Sequence, residues 1–282
     1  MNLDNLVVAI VLNYNSSCDS KKCISYLQKQ NYNNLKIVVV DNCSRNEELE
    51  EIVRITQSAN VELIANKENK GYSAGNNIGF RYAAQIGAKW CLVINPDVEL
   101  RDENYIDKII SITRKYKKVA CVGSNIQLPS GDRQNPMRNR TFAEEFFWPI
   151  EIIKHHTKRW DHYLGSNVTG YCDILHGSCF MISVDFLKSI GYLDENVFLY
   201  CEEEILASEV RESGWHNLYF TGTTAYHEHY SKLKGSTKKR MFKYFQSRRY
   251  YFKHYSNFNN IEILLLNFSL WTWEKYWKIK GK

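Results

Sequence analysis

Short, largely apolar runs recur along the first half of the chain, at Leu6 to Leu12, Lys36 to Val40, Val61 to Ala65, Trp90 to Ile94 and Val119 to Gly123. Each is too short for a core helix and too uniformly apolar for a strand with one face in water, which is the pattern of strands buried on both faces of a parallel sheet. The segments between them carry helical spacing. Asp19 or Ser20 caps a helix through about Gln30, and Ser44 caps another over roughly Glu47 to Ser58. A third ends near Gly87 and a fourth covers about Glu103 to Tyr116. Strand and helix in alternation make βαβ units with right-handed crossovers, so the first half reads as a doubly wound α/β domain.

In such sheets ligands bind beyond the carboxyl ends of the strands. The run from Trp90 stops in Asn95-Pro96-Asp97, because proline cannot donate to a ladder and forces the residue before it to be extended. A carboxylate and an amide presented there suit a hard divalent cation that keeps positions for water and phosphate oxygens; the same tripeptide also makes an ordinary turn. Asp41, at the end of the second run, suits a ribose or base, and equally a turn or helix cap. The loop from Asn69 to Phe80 is rich in glycine and amides but is neither G-x-G-x-x-G after a first strand nor G-x-x-x-x-G-K-[ST]. That disfavours NAD enzymes and P-loop NTPases.

Charge is unevenly placed. From Tyr230 onward thirteen Lys and Arg face two Glu, a net +11, which leaves the first 229 residues at −5. A mildly acidic body with a basic, aromatic tail is not the footprint of a nucleic-acid domain and suits contact with anionic headgroups. The eight cysteines form no Cys-x-x-Cys pair, which fits a reducing compartment better than a disulfide framework or a zinc site. The first apolar run is too short for a signal peptide or a span, and the expectation is a cytoplasmic protein.

Taken in order, Val11-Leu12-Asn13-Tyr14-Asn15, Val39-Val40-Asp41-Asn42-Cys43-Ser44, Asn69-Lys70-Gly71-Tyr72-Ser73-Ala74-Gly75-Asn76-Asn77-Ile78-Gly79 and Asn95-Pro96-Asp97 resemble the nucleotide-sugar half of the family 2 inverting glycosyltransferases of the GT-A fold, in their rhamnosyltransferase-like branch. Gly177-Ser178-Cys179-Phe180-Met181-Ile182, Gly191-Tyr192-Leu193-Asp194-Glu195, Phe198 to Glu203, Gly214-Trp215, and His227 with Ser231 continue the likeness, which spans roughly Leu6 to Ser231. It implies a GT-A domain over 1–232, with a nucleotide-sugar half at 1–125 and an acceptor half at 126–232, followed by a helical tail at 233–282. By the same resemblance the nucleotide belongs to Asn13, Asn15, Asp41, Asn42, Gly71, Gly75, Asn76 and Asn95. A Mn²⁺ or Mg²⁺ ion belongs to Asp97 and His227, with His229 as second choice, and the acceptor to Gly177, Ser178 and Trp148. The family usually places Glu-Asp at the catalytic step; this chain has Glu202-Glu203, so Glu203 aligns with the base and is one methylene longer. Crowding among Glu202, Glu203 and Glu204 is expected to raise one of their pKa values.

The implied reaction moves a sugar from a nucleoside diphosphate, dTDP-L-rhamnose as first choice and a UDP-hexose as the alternative, to a lipid-linked surface polysaccharide. A catalytically silent module that holds a glycan or partner protein is the competing reading, and a nucleotidyltransferase is disfavoured because no basic activation loop follows the first strand. Between Pro129 and Asp173 the aromatics Phe142, Phe146, Phe147, Trp148, Trp160 and Tyr163 with Arg133, Arg138 and Arg140 fit either a mobile acceptor loop or a helical insertion packing a core. The tail, with Trp271, Trp273, Trp277 and flanking lysines, fits a peripheral anchor at the inner face of the membrane; a helical hairpin covering the domain, or a homodimer contact, is the alternative.

Overall fold

A computed structural model describes residues 5–57, 61–147, 167–228 and 237–280. The amino-terminal strands are β1 (Val7–Asn13), β2 (Leu35–Asp41), β3 (Val61–Ala65) and β4 (Trp90–Ile94), joined through the helices α1 (Ser17–Gln28), α2 (Asn46–Thr56) and α3 (Tyr72–Gln85). All pair in parallel, with β1 between β2 and β4. There follow β5 (Val98–Glu99), α4 (Tyr105–Thr113), β6 (Val119–Gln127), β7 (Gly170–Cys172), β8 (Cys179–Ser183), α5 (Val184–Ile190), α6 (Glu202–Glu212), β9 (His216–His227), α7 (Thr237–His254) and α8 (Asn260–Lys280).

Among the described residues the nine-stranded sheet runs β3-β2-β1-β4-β8-β6-β9-β5, with β7 on β9. The chain leaves β1 toward β2 on one side and returns to β4 on the other, so the switch point that exposes strand ends to a ligand lies between β1 and β4. β8 enters antiparallel to both β4 and β6. Alternate residues of β1 explain the two layers: Val7, Ala9 and Val11 point into a cluster with α1, α2 and α4, while Val8 and Ile10 join Phe80 and Phe186 on the other face. A strand buried on both faces needs the unbroken apolar run that the sequence shows.

The glycine-rich segment differs from the expected loop. It is helical from Tyr72, and its glycines let the helix lie directly on β1: a Cβ at Gly79 would come within 2.7 Å of the Ile10 side chain, and one at Gly75 within 2.6 Å of Leu12. Close helix-to-strand packing, not a phosphate cradle, is what these two glycines serve.

The tail is the hairpin alternative. α7 and α8 pack on one another, tied by Arg249 to Glu274 at 2.7 Å. Together with Val197, Cys201 and Ile205 they form a third apolar cluster around Phe245, Phe252, Leu266 and Leu270. Phe142 and Phe146 join it from the acceptor half, so for these two aromatics the packing reading holds, whereas Trp148, Trp160 and Tyr163 lie outside the described residues.

Candidate active site

A cleft of about 560 Å³ opens at the switch point, lined by Leu12, Tyr14 and Ser16 after β1, Asn42 after β2, Asn69, Gly71 and Tyr72 at the start of α3, and Asn95, Pro96 and Asp97 after β4. Asn42 is held on all sides: its Nδ2 donates to Asn69 Oδ1 and to the Gly71 carbonyl, both at 3.1 Å, and its Oδ1 accepts from Asn66 Nδ2. Gly71 has φ +109°, and any Cβ there would meet the Phe198 carbonyl oxygen at 2.3 Å, so only glycine lets this turn dock on Phe198.

Asn13 and Asp41 are fully buried and bond each other, Asn13 Nδ2 donating to Asp41 Oδ1 at 2.7 Å. The Asn13 Oδ1 accepts from Ser20 Oγ, and Asp41 Oδ2 accepts the Ser44 amide N–H at 3.0 Å. Asn15, at φ 52°, accepts the Arg45 N–H on its side-chain oxygen. These three therefore shape the loops around Ser44, behind the cleft wall. Asn76 is likewise buried and bonds the Tyr72 carbonyl. Gly71, Asn42 and Asn95 face the cleft; Gly75 supports it from behind.

Asp97 meets His227 because the two-residue strand β5 pairs Val98 with His227. The Glu228 N–H donates to the Asp97 carbonyl, and His227 Nε2 lies 3.3 Å from Asp97 Oδ1. On its other side His227 Nδ1 is 2.7 Å from Gln134 Oε1. The amide oxygen accepts a hydrogen bond from Nδ1–H, and this fixes the ring so that Nε2 faces the Asp97 carboxylate. A carboxylate and an imidazole nitrogen side by side, with the ring oriented by a further carbonyl oxygen, would suit a divalent cation that takes the rest of its shell from phosphate and water. Among the described residues no group of three or more His, Cys, Asp or Glu could hold one. His229 lies outside the described residues.

Glu202, Glu203 and Glu204 open α6, where the helix N-terminus favours negative charge. The chain reaches them through Tyr200 and Cys201, both left-handed at φ 75° and 69°, a strained approach for two non-glycine residues. Glu203 Oε1 accepts the Gly177 N–H at 3.0 Å, and a Cβ at Gly177 would stand 2.9 Å from that oxygen. The longer glutamate thus ends against the Gly177 backbone, where a larger residue would push its carboxylate aside. The Gly177 carbonyl also accepts the Tyr72 hydroxyl at 2.6 Å, tying Glu203 to the cleft. Burial is the largest cause that raises both Glu202 and Glu203 above the ordinary glutamate range, ahead of the like charges that crowding alone invokes. Glu204 is offset by Arg248 at 2.9 Å.

Ser178 is buried, its carbonyl accepting the Asn95 N–H and its hydroxyl 3.0 Å from His176 Nδ1. A second cavity, of about 170 Å³, is lined by Arg138, Arg140, His176, Glu203 and Glu204. Trp148 lies outside the described residues. Sequence reasoning missed Gln134, which orients His227, and Lys239, Arg240 and Lys243 of α7, which line the donor cleft. It also missed Arg248. An arginine inside a basic, aromatic run reads as solvated, and only the acidic pair Glu144-Glu145 hinted that a buried cation would need partners.

A sequence model described as Glycosyl transferase family 2 matches residues 8–191. The low-salt glycan biosynthesis hexosyltransferase Agl10 of Haloferax volcanii is 30% identical over 205 residues, 71% of this chain and 60% of that protein. The N-acetylglucosaminyl-diphospho-decaprenol L-rhamnosyltransferase of Mycobacterium tuberculosis is 25% identical over 187 residues, 60% of this chain and 59% of that protein. The chain thus spans about three-fifths of the length of the curated relatives it matches. In overall shape it is similar to the mannosyltransferase PcManGT from Pyrobaculum calidifontis in complex with GDP-Man and Mn²⁺, with TM-score 0.60 at 13% identity over 93% of this chain and 69% of that one. It is also similar to GalNAc-T7 with UDP, GalNAc and Mn²⁺, with TM-score 0.64 at 14% identity over 88% of this chain and 47% of that one.

Proposed function

The chain belongs to glycosyl transferase family 2, and we propose that it is an inverting glycosyltransferase that moves a deoxyhexose or hexose from a nucleoside diphosphate to a lipid-linked saccharide. The observation that carries this reading is Asp97 on the wall of the cleft at the switch point with His227 3.3 Å from its carboxylate, and Glu203 held on Gly177, whose carbonyl accepts the hydroxyl of Tyr72 from the same cleft. Asp97 and His227 would hold Mn²⁺ or Mg²⁺, which when bound would supply positive charge to the departing diphosphate. The acceptor hydroxyl oxygen forms the new bond to the anomeric carbon, its proton passes to Glu203, and the nucleoside diphosphate leaves with the electrons of the broken bond. Glu203 suits the task because burial raises its basicity while its Oε1 stays anchored on the Gly177 N–H. A silent binding module would have no use for a carboxylate so placed.

Our choice of donor is dTDP-L-rhamnose, supported by the rhamnosyltransferase relative; a UDP-hexose is the second reading, supported by the hexosyltransferase relative. The acceptor enters by the cavity that Arg138, Arg140 and His176 share with Glu145, Glu203 and Glu204, because it brings an incoming hydroxyl to the Glu203 carboxylate. Wild type, given a panel of nucleotide sugars with Mn²⁺ or Mg²⁺ and a lipid-linked saccharide, is expected to release the nucleoside diphosphate from one donor. Asp97→Ala is expected to abolish that release together with the metal dependence of nucleotide binding. No metal-dependent nucleotide binding by wild type in calorimetry would end the glycosyltransferase reading.

A lipid-linked acceptor places the enzyme at the inner face of a membrane. No helix among the described residues is long and apolar enough to cross one. α8 instead presents Ile261, Leu264, Phe268 and Trp271 outward, between 50% and 72% exposed, with Lys275 Nζ 5.2 Å from the Trp271 ring. That apolar stripe with a basic rim fits the headgroup boundary of an anionic bilayer. Wild type is expected to sediment with vesicles containing phosphatidylglycerol, and the double variant Phe268→Glu, Trp271→Glu to stay in the supernatant with unchanged turnover of a soluble acceptor. Concentration-dependent dimers that the same variant splits would assign the stripe to a second copy of the chain instead.

A further inference from the structure

The donor cleft has a wall that the strand ends do not supply. Lys239, Arg240 and Lys243, on the first turns of α7, line it together with Asn95, Pro96 and Asp97. Lys239 is exposed, and Arg240 and Lys243 are half-buried. Cations partly withdrawn from water around a cavity of this size call for an anion of matching charge. Burial, and then the neighbouring Lys239, lower the pKa of Lys243.

The helix that carries them is fastened at three successive points to a segment, residues 198–204, that joins the donor loop to the catalytic helix. Lys243 Nζ stands 3.4 Å from the centre of the Phe198 ring, while the Phe198 carbonyl accepts the Tyr72 N–H at 3.0 Å beside Gly71. Ser247 Oγ donates to the Leu199 carbonyl at 2.7 Å. Arg248 reaches Cys201 Sγ and the Glu204 carboxylate. Residues 198–204 therefore lock the glycine turn, the acidic cluster and α7 into one unit, which accounts for the left-handed backbone kept at Tyr200 and Cys201.

We propose that α7 is a component of the donor site, with Lys239 and Lys243, beside Arg240, holding the diphosphate of the nucleotide in the cleft that Asp97 also lines. The proposal rests on the donor reading above and adds to it residues outside the stretch matched by the family model, 8–191. A bound metal offsets part of the charge of a diphosphate, and these lysines offset charge that remains. Their contribution depends on phosphate and not on the base or the sugar, so nucleosides and nucleoside diphosphates should respond differently to their loss.

The test is calorimetry of UDP and dTDP, with ligand-observed NMR of uridine and thymidine, on wild type and on Lys239→Ala/Lys243→Ala in Mn²⁺. The double variant is expected to bind the diphosphate that wild type prefers about tenfold to a hundredfold more weakly, the scale of one or two lost charge-assisted bonds. Its affinity should also fall less steeply with salt, and its nucleoside affinity should stay at the wild-type value. Lys239→Arg/Lys243→Arg, which keeps both charges, is expected to restore diphosphate binding. Diphosphate affinity equal to wild type in the alanine variant overturns the proposal, and so does an equal loss of nucleoside and diphosphate, which would mark a defect in folding or in the base pocket. Wild type that binds neither diphosphate overturns the donor reading itself.

Discussion

Glu203→Gln is expected to slow sugar transfer by about a hundredfold to ten-thousandfold, the usual contribution of a general base, while leaving donor affinity unchanged. Glutamine keeps the side-chain oxygen that accepts the Gly177 N–H at 3.0 Å, so the geometry survives and only basicity is lost. The pH dependence separates this from an unfolding artefact. Burial raises the folded-state pKa of Glu203 above the ordinary glutamate value of about 4.3. Between those two values the folded chain holds a proton that the unfolded chain has released, so stability falls as pH rises through the window. Glutamine has no charge to bury and removes that fall; the variant should melt no lower than wild type at neutral pH. Rate runs the other way, because the base must be ionised: kcat/KM of wild type is expected to rise with pH through the raised value, and the rise to vanish in the variant. A variant that keeps turnover within a few-fold of wild type, or a rise sited at the ordinary glutamate value, would remove Glu203 from the role of base.

What the sequence revealed and what it hid divide along physical lines. β1, β2, β3 and β4 were legible because a strand buried on both faces must be apolar throughout, and a proline after Ile94 ends the last of them. β8 was not legible from periodicity, since nothing in Cys179–Ser183 says that it inserts antiparallel between β4 and β6; only the likeness to a family placed it. Ser44 misled: it is a good helix cap by type, but its hydroxyl accepts from the Asn15 N–H and from Asn13 Nδ2, and α2 begins at Asn46 without it. The network behind the cleft outcompetes the local cap. Asp97 was legible from its place at a strand end, whereas Gln134 was not, because a glutamine that orients a histidine 93 positions away has no local pattern. The cations of α7 were visible as charge but not as a cleft wall, since their address is set by contacts with residues 198–204 that are remote in sequence.

Arg248→Met is expected to destabilise the protein by about 3–5 kcal/mol, the loss incurred when one member of a buried ion pair is removed and the other stays charged. Arg248 is 1% exposed, pairs with Glu145 and with Glu204, and lies over the rings of Tyr251 and Phe252 at 5.0 and 4.8 Å. Methionine keeps much of the volume, so the cavity left is small and the stranded carboxylates dominate. The Glu145 side chain is itself only 4% exposed, so little water reaches it to replace the guanidinium. Denaturant melts of Arg248→Met and of Arg248→Met/Glu145→Met separate the two contributions: the second variant removes the stranded charge and is expected to recover most of the stability. It should not recover the pH profile. Without Arg248, Glu204 stands uncompensated beside Glu203, whose pKa its charge already raises. The acid limb of kcat/KM is therefore expected to move to higher pH in both variants. A melt unchanged from wild type would show that the pair is not the anchor of α7, and an unshifted acid limb would show that Glu204 does not communicate with the base. Stability recovered with the profile still displaced is the result that ties the tail to the chemistry, because it leaves the fold intact and changes only the charge that surrounds Glu203.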